Sequence, residues 1–305
     1  GDATAEELLI TEVNSGIYVF DPAALASALP SVGSDNSQGE RYLPAVLPLI
    51  AAAGGTVIAH VVDDPSMLLG VNDRVDLAEL RDLAQMQIIE AHLLGGVDII
   101  APASTQIDVT VEIGADSVIE PFTALSGATK VGERSTIGPD STLTDALIGD
   151  EVTVLRSHLT DCEVRSQASI GPFAHLRPGS LVREGAKVGA FVELKNADIG
   201  EGAKVPHLSY VGDAEVGAAA NLGAGTITAN YDGVNKHRTV FGERVHGGVH
   251  VSYIAPVEVG DDSWTAAGSV ITEAVPPGSL AIGRGRQENK DGYDARRKSD
   301  GADKK

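Results

Sequence analysis

From residue 113 the chain keeps a six-residue beat. The hexads IGADSV, IEPFTA, LSGATK, VGERST and IGPDST begin at 113, 119, 125, 131 and 137. Each opens on an aliphatic residue. After one slip the frame resumes at Ile148 and Val154. It continues through Val164, Ile170, Leu176, Val182, Val188 and Leu194, then Ile199, Val205 and Val211, then Val216 and Leu222. A period of six held this long predicts a parallel β-helix of hexapeptide repeats, with three short strands to a triangular coil of about eighteen residues. One aliphatic side chain per strand points inward, small residues fit the corners, and each coil hydrogen-bonds to the next. Composition agrees with thin aliphatic layers: aromatics are 4% and glycines number 35.

The beat breaks after Leu222. The stretch TITANYDGVNKHRTV (226–240) has no six-residue period, and its middle is expected to leave the coil as a loop. The beat returns at 241, 247, 253, 259, 265 and 271, with Phe241, Gly247, Tyr253 and Thr265 at inward positions where an aliphatic residue is usual. Gly247 is expected to remove core packing. After Ile282 a polar tail follows, expected to be partly disordered.

Ahead of the repeats, GIYVF (16–20) and TVIAHVV (56–62) are predicted strands. Asp21 with Pro22 is a helix-start signal. The charge-free run 43–62 is broken by Pro44, Pro48, Gly54 and Gly55, so it reads as a short helix and a strand rather than a membrane span. Residues 75–94 carry Leu77, Leu80, Leu83, Ile88 and Ala91 at helical spacing, stopped by Gly95 and Gly96. The expected domains are therefore 1–74, the α/β remnant of a larger domain; 75–96, a linker helix; 97–283, the β-helix; and 284–305, the tail.

A net charge of −20 argues against nucleic acid or a membrane surface as partner. The single cysteine, Cys162, leaves no internal disulfide and is expected to fill core space. Residues 173–240 hold seven Lys or Arg and seven Asp or Glu, a neutral island in an acidic chain. Arg177, Lys195, Lys204, Lys236 and Arg238 within it are candidates for a small-anion site. His207, in VPHLSY, is a candidate general base, histidine being the usual residue type for that role, with Glu193 and Lys195 one coil earlier. The glycine-rich GAGTITANYDG offers backbone N–H groups to an oxyanion. His246 and His250, in VHGGVHV, suggest a metal pair, but their frame positions need not face one ion.

GPFAHLRPG, VGAFVELKNADIG, PHLSYVGDAEVG and NLGAGTITANYDGVNK, in this order and spacing, resemble the acetyltransferase signatures of a bacterial family. That family is the bifunctional N-acetylglucosamine-1-phosphate uridyltransferase / glucosamine-1-phosphate N-acetyltransferase. APVEVG and AAGSVI fit as well, and the resemblance runs along almost the whole chain. It implies a left-handed β-helix, a cytoplasmic homotrimer with active sites between subunits, and acetyl-CoA as co-substrate in UDP-GlcNAc synthesis. It also implies roles at matching positions. His207 would be the base, with Glu193 supporting. Arg177, Lys195 and Lys236 would hold the sugar phosphate, and Tyr210, Asn221 and Asn230 the sugar. Ala224 would steady the thioester oxygen. Tyr231, Val249, Ala267 and Arg284 would line the coenzyme site.

Two departures bear on activity. The family has a serine where this chain has Val249, so one hydrogen bond to the coenzyme is lost, worth roughly 0.5–1.5 kcal/mol. The family's uridyltransferase domain opens on a glycine-rich UTP loop followed by a metal-binding Asp, and this chain shows neither. Asn14 remains at the sugar-nucleotide position and Asn72 at the Mg2+ position. The chain as given is expected not to make UDP-GlcNAc, whereas a longer parent would. The competing expectation is a non-catalytic β-helix trimer whose coenzyme site has decayed.

Overall fold

The computed structural model describes residues 9–294, apart from 11, 13 and 37. The chain forms two compact units, residues 1–81 and 82–305.

In the first unit, helix α1 spans Pro22–Ala28, and Asp21 caps it by accepting from the N–H groups of Ala23 and Ala24, both at 2.9 Å. Helix α2 spans Val46–Ala52. A small core joins them: Ala28, Val32, Val46 and Ile50, flanked by Phe20, Leu25 and Leu49. The two predicted strands do not form. Residues 16–20 and 56–62 carry no strand pairing, and Val19, Ile58 and Val61 are exposed. A strand exists only through its neighbour's hydrogen bonds, and neither segment finds one among the described residues. The two strand assignments are corrected accordingly: the described regular elements of this unit are helical.

Helix α3 covers Arg74–Leu94 and ends at Gly95 and Gly96, the latter at φ +89°. Its single buried residue is Ile89, which joins the β-helix core; Leu83, placed on the apolar face by spacing, is exposed. A second residue of α3 closes the open end of the coils. Gln85 Nε2 donates to Ile107 O at 3.2 Å, and Ile107 N donates to Gln85 Oε1 at 3.2 Å. The amide thus imitates a neighbouring strand for the first coil, whose lower edge has no coil beneath it.

The β-helix follows from Asp98 to Ala281, and every strand pairing along it is parallel. Register advances by about eighteen residues: Val118 pairs with Thr136, Thr136 with Thr153, Ser169 with Lys187, and Lys187 with Lys204. The inward aliphatics form three columns, and the hexad positions from Ile119 to Leu222 are buried. Leu143 and Leu159, both fully buried, fill the place of the slip in the sequence frame. Two residues before each inward position stands a small buried residue, such as Ala186, Ala203, Ser209, Ala214 or Ala220. Cys162 occupies one of these corners. Burial first, and Asp161 second, push its thiol up to about 12.

The atypical inward residues form one compensated layer. A Cβ on Gly247 would lie 3.2 Å from the Tyr253 hydroxyl, so the tyrosine occupies the space an aliphatic would have used. Tyr253 is fully buried, packs edge-on to Phe241 at 4.7 Å between centroids, and shares a 2.8 Å hydrogen bond with Thr265 Oγ1. Gly247 therefore does not leave the core underpacked, contrary to the reading from its position alone. Between Ile227–Ala229 and Thr239–Phe241 the chain makes the expected excursion, a small hairpin closed by an antiparallel bridge from Tyr231 to Lys236.

Of the tail, residues 284–294 are exposed; 295–305 lie outside the described residues.

Candidate functional site

Stacking brings two groups of the singled-out residues together. The first is a polar cluster on an outer face. Strands Glu193–Ile199 and Tyr210–Val216 run side by side, pairing Glu193 with Tyr210 and Lys195 with Gly212. Leu176 pairs with Leu194, which sets Arg177 beside Lys195 one coil below. Arg177 Nη1 meets Glu193 Oε1 at 2.9 Å. Gly212 leaves room for the Tyr210 ring to fold over it. The Tyr210 hydroxyl then lies 3.4 Å from Asn230 Nδ2.

At the centre is Asp213, which spacing and resemblance did not single out. It accepts from Lys195 Nζ at 3.1 Å, from Asn196 Nδ2 at 2.8 Å and from Asn230 Nδ2. Asp213 and Asn230 are both buried. Burial pushes the Asp213 carboxyl up, but the three donors outweigh it and hold it below the ordinary aspartate value. Burial likewise lowers Lys195, and the bond to Asp213 overcomes that, leaving the ammonium above its usual value. Lys236 is held below the usual lysine value by the Lys195 ammonium beside it, and senses Arg177 as well. Three cations and two carboxylates thus surround one spot, with Lys236 the exposed member. Such a cluster suits a small dianion.

The second group lines a corner of the coil. Gly225 N donates to His207 O, His250 N to Ala224 O and Gly268 N to Val249 O, at 3.2, 2.7 and 2.8 Å. His207, Ala224, Val249 and Ala267 consequently stand one above another on successive coils. The N–H groups of Ala224, Val249 and Ala267 meet no acceptor among the described residues, which leaves them as a row of candidate donors along this corner. Arg284 sets its Cδ beside Gly268, close to the top of this row. His207 is exposed and its ring meets no hydrogen-bond partner among the described residues. Its carbonyl is held by Ser209 Oγ at 2.7 Å. Only Leu208 and Ser209 separate His207 from Tyr210, so the row and the polar cluster adjoin at one turn.

The remaining candidates are placed as follows. Asn221 is exposed and bridges to Lys204 and His246 in a column on another face. Tyr231 is exposed on the hairpin, its hydroxyl donating to Gly233 O at 2.6 Å. Arg238 pairs with Glu215 at 2.7 Å, which takes it out of the anion cluster. His246 stacks on Trp264 at 4.0 Å while the His250 ring lies over Gly225. Among the described residues there is no group of three metal-ligating side chains. In the first unit Asn14 folds onto Tyr18 and Gly16. Asn72 gives both its backbone N–H and its side-chain amide to Asp76, at 2.9 and 3.1 Å. These residues alone do not make a Mg2+ site. Among the described residues no helix is long and apolar enough to cross a membrane.

Comparison with known proteins adds the following. No family model matches the chain. It is similar to the bifunctional protein GlmU of Mycobacterium marinum, 49% identical over 288 residues, covering 94% of this chain and 58% of that protein. GlmU of Mycolicibacterium gilvum is 50% identical over 97% of this chain and 60% of its own length. GlmU of Corynebacterium efficiens is 49% identical over 96% and 60%. The chain therefore spans about three fifths of the length of the curated relatives it matches. Among solved structures, UDP-N-acetylglucosamine acyltransferase from Campylobacter jejuni superposes with a TM-score of 0.42 at 19% identity, over 61% of this chain and 72% of that one.

Proposed function

We propose, from the chain's similarity to the bifunctional GlmU proteins, that it transfers an acetyl group from acetyl-CoA to the amine of glucosamine-1-phosphate. The observation that carries this reading is the meeting of the anion cluster and the corner row at His207–Tyr210. Arg177, Lys195 and Lys236 take the sugar phosphate, and Tyr210 and Asn230 orient the ring; Asn221, which stands on another face, would reach the ring only from a second copy of the chain. The amine then lies toward His207. The coenzyme runs along the corner past Ala224, Val249 and Ala267, with Tyr231 and Arg284 at its sides.

In the reaction the amine nitrogen attacks the thioester carbonyl carbon. A C–N bond forms while the carbonyl electrons move onto oxygen, where the Ala224 N–H receives them. The His207 imidazole accepts the proton lost by nitrogen. Collapse breaks the C–S bond, and the leaving thiolate takes the proton from the imidazolium. Holding amine and thioester on adjoining coils supplies the proximity acyl transfer needs. Val249 offers the coenzyme an apolar contact and its backbone N–H, but no hydroxyl.

Self-association fits this reading. Phe173 and Phe191 stack at 5.1 Å on the corner column that Leu208 continues, and all three are exposed beside His207. A second copy covering this stripe would bring further residues to the base, as in a homotrimer. In a longer parent protein we extend the proposal to uridylyl transfer from UTP, with Mg2+ bound by residues beyond Asn72.

The test mixes purified protein with glucosamine-1-phosphate and acetyl-CoA and follows free thiol. Release that disappears in His207→Ala supports the reading. No release at millimolar substrates refutes it and favours a non-catalytic β-helix.

A further inference from the structure

Aspartate is common at the corners of this β-helix, so Asp213 needs a reason to stand apart. At several other corners the carboxylate ties coil to coil through backbone donors, and at Asp140 and Asp262 it pairs with one arginine. Asp145 Oδ1 accepts Ala128 N at 2.8 Å, Asp150 Oδ1 accepts Glu133 N at 2.8 Å, Asp261 Oδ1 accepts Glu243 N at 2.8 Å, and Asp108 Oδ2 accepts Gly127 N at 3.0 Å. Asp213 shares the corner backbone, at φ +47° next to Asn196 at φ +46° one coil below. Yet Asp213 alone among these is buried and held by three separate side chains: Lys195, Asn196 and Asn230. Two of these three are the residues to which the proposed reaction assigns phosphate and sugar. They come from the coil below Asp213 and the coil above it.

We propose that Asp213 is a positioning residue that locks the Lys195 ammonium and the Asn230 amide toward one ligand and offsets part of the cluster's positive charge. This inference rests on the proposed acetyl transfer for the identity of the ligand, but not for the geometry. Lys195 has four rotatable bonds and would otherwise sample many directions. One carboxylate gripping both groups removes that freedom before a ligand arrives, which lowers the cost of binding. The charge consequence is specific. Arg177, Lys195 and Lys236 set against Glu193 and Asp213 leave one net positive charge. Neutralising Asp213 leaves two. The cluster then attracts any small anion more strongly while holding the sugar phosphate less well aligned.

A corner residue with only a structural role would not separate these effects. The experiment compares wild type with Asp213→Asn in two measurements. Inorganic phosphate binding is read by calorimetry, and acetyl transfer by thiol release across glucosamine-1-phosphate concentrations. Asp213→Asn should tighten inorganic phosphate by ~3–5-fold, as expected for one added charge near a surface. It should lower kcat/KM by about 10–100-fold, the scale of an ångström-sized misplacement. The double variant Asp213→Asn/Lys195→Ala should lose less than the product of the two single losses, because both act through one contact. Weakening of phosphate binding and turnover together, with a matching fall in thermal midpoint, overturns the proposal. So does an unchanged Asp213→Asn in both measurements. If the wild-type protein transfers no acetyl group, the functional reading has failed and the phosphate measurement alone decides. Tighter binding in Asp213→Asn then supports the role of Asp213, and unchanged or weaker binding overturns it.

Discussion

Tyr253→Phe removes one oxygen from the layer that Gly247, Phe241, Tyr253 and Thr265 build together. The lost interaction is the 2.8 Å hydrogen bond to Thr265 Oγ1. Thr265 Oγ1 keeps a second partner, the Gly248 N–H at 3.2 Å, so it is not orphaned. The cost should be about 1 kcal/mol, the ordinary net value of one buried hydrogen bond, rather than the larger penalty of an unsatisfied group. Gly247→Ala should cost ~1–3 kcal/mol by overpacking, because its Cβ would stand 3.2 Å from Gly223 N, Leu222 Cα and the Tyr253 hydroxyl. In the double variant the hydroxyl is gone and the new methyl takes part of its space. The two costs should therefore fall short of their sum by about 0.5–1 kcal/mol. Trp264 is the chain's single tryptophan and pairs into the same coil edge next to Thr265, so urea unfolding followed by its emission reports this layer. Protein concentration must be held fixed, since self-association shifts the midpoint. An independent check uses alkali. Burial, opposed only by the Thr265 bond, raises the Tyr253 phenol to about 12. A raised folded value stabilises fully below the unfolded value near 10 and is lost as pH rises through about 12. One tyrosine should therefore ionise late in wild type and be missing from that phase in Tyr253→Phe. Strict additivity, or a neutral Tyr253→Phe, would refute the idea that the hydroxyl fills the place of the missing aliphatic.

Other outcomes follow from single contacts. Gln85→Ala should cost about 1–3 kcal/mol, because buried Ile107 loses partners for both its N–H and its C=O; faster amide exchange at Ile107 checks it. Cys162 should resist alkylation at neutral pH in the native state and react once urea opens the coils, since its thiol lies near 12 and is buried. The hairpin should hold in acid longer than an ordinary aspartate would allow. The His237 bond, then the N–H groups of Asn235 and Val234, bring Asp232 down to about 2. That contribution is present above the unfolded value near 4 and lost as pH falls through about 2. Asp232→Ala should speed amide exchange at Val234 and Asn235 at neutral pH, and unchanged exchange would count against it.

Much of the β-helix was legible because an inward side chain recurs at every sixth residue, and burial enforces that recurrence. The loop at 226–240 was legible for the same reason, as the place where recurrence stops. What failed were judgements made one residue at a time. GIYVF and TVIAHVV have strand composition, but composition carries no information about whether a partner strand lies alongside. Leu83 lay on the apolar face by count, while Ile89 is the residue that α3 buries. Gly247 looked like a defect because the sequence does not say that Tyr253, six residues later, reaches back into its space. In the candidate site, residue type and charge pointed to His207 and Lys195, and resemblance added Tyr210 and Asn230. Asp213 went unnoticed among several corner aspartates, since only its partners distinguish it.

The hexad beat by itself determined the parallel coils, the inward residues and the small corner residues, because each is a local requirement repeated along the chain. Tertiary structure decided which outward residues meet. Coils differ in length, and the hairpin inserts extra residues, so columns cannot be counted out from sequence. Only hydrogen-bonded register places His207 under Ala224 and Val249. Only register, likewise, lets Asp213 hold Lys195 from the coil below and Asn230 from the coil above.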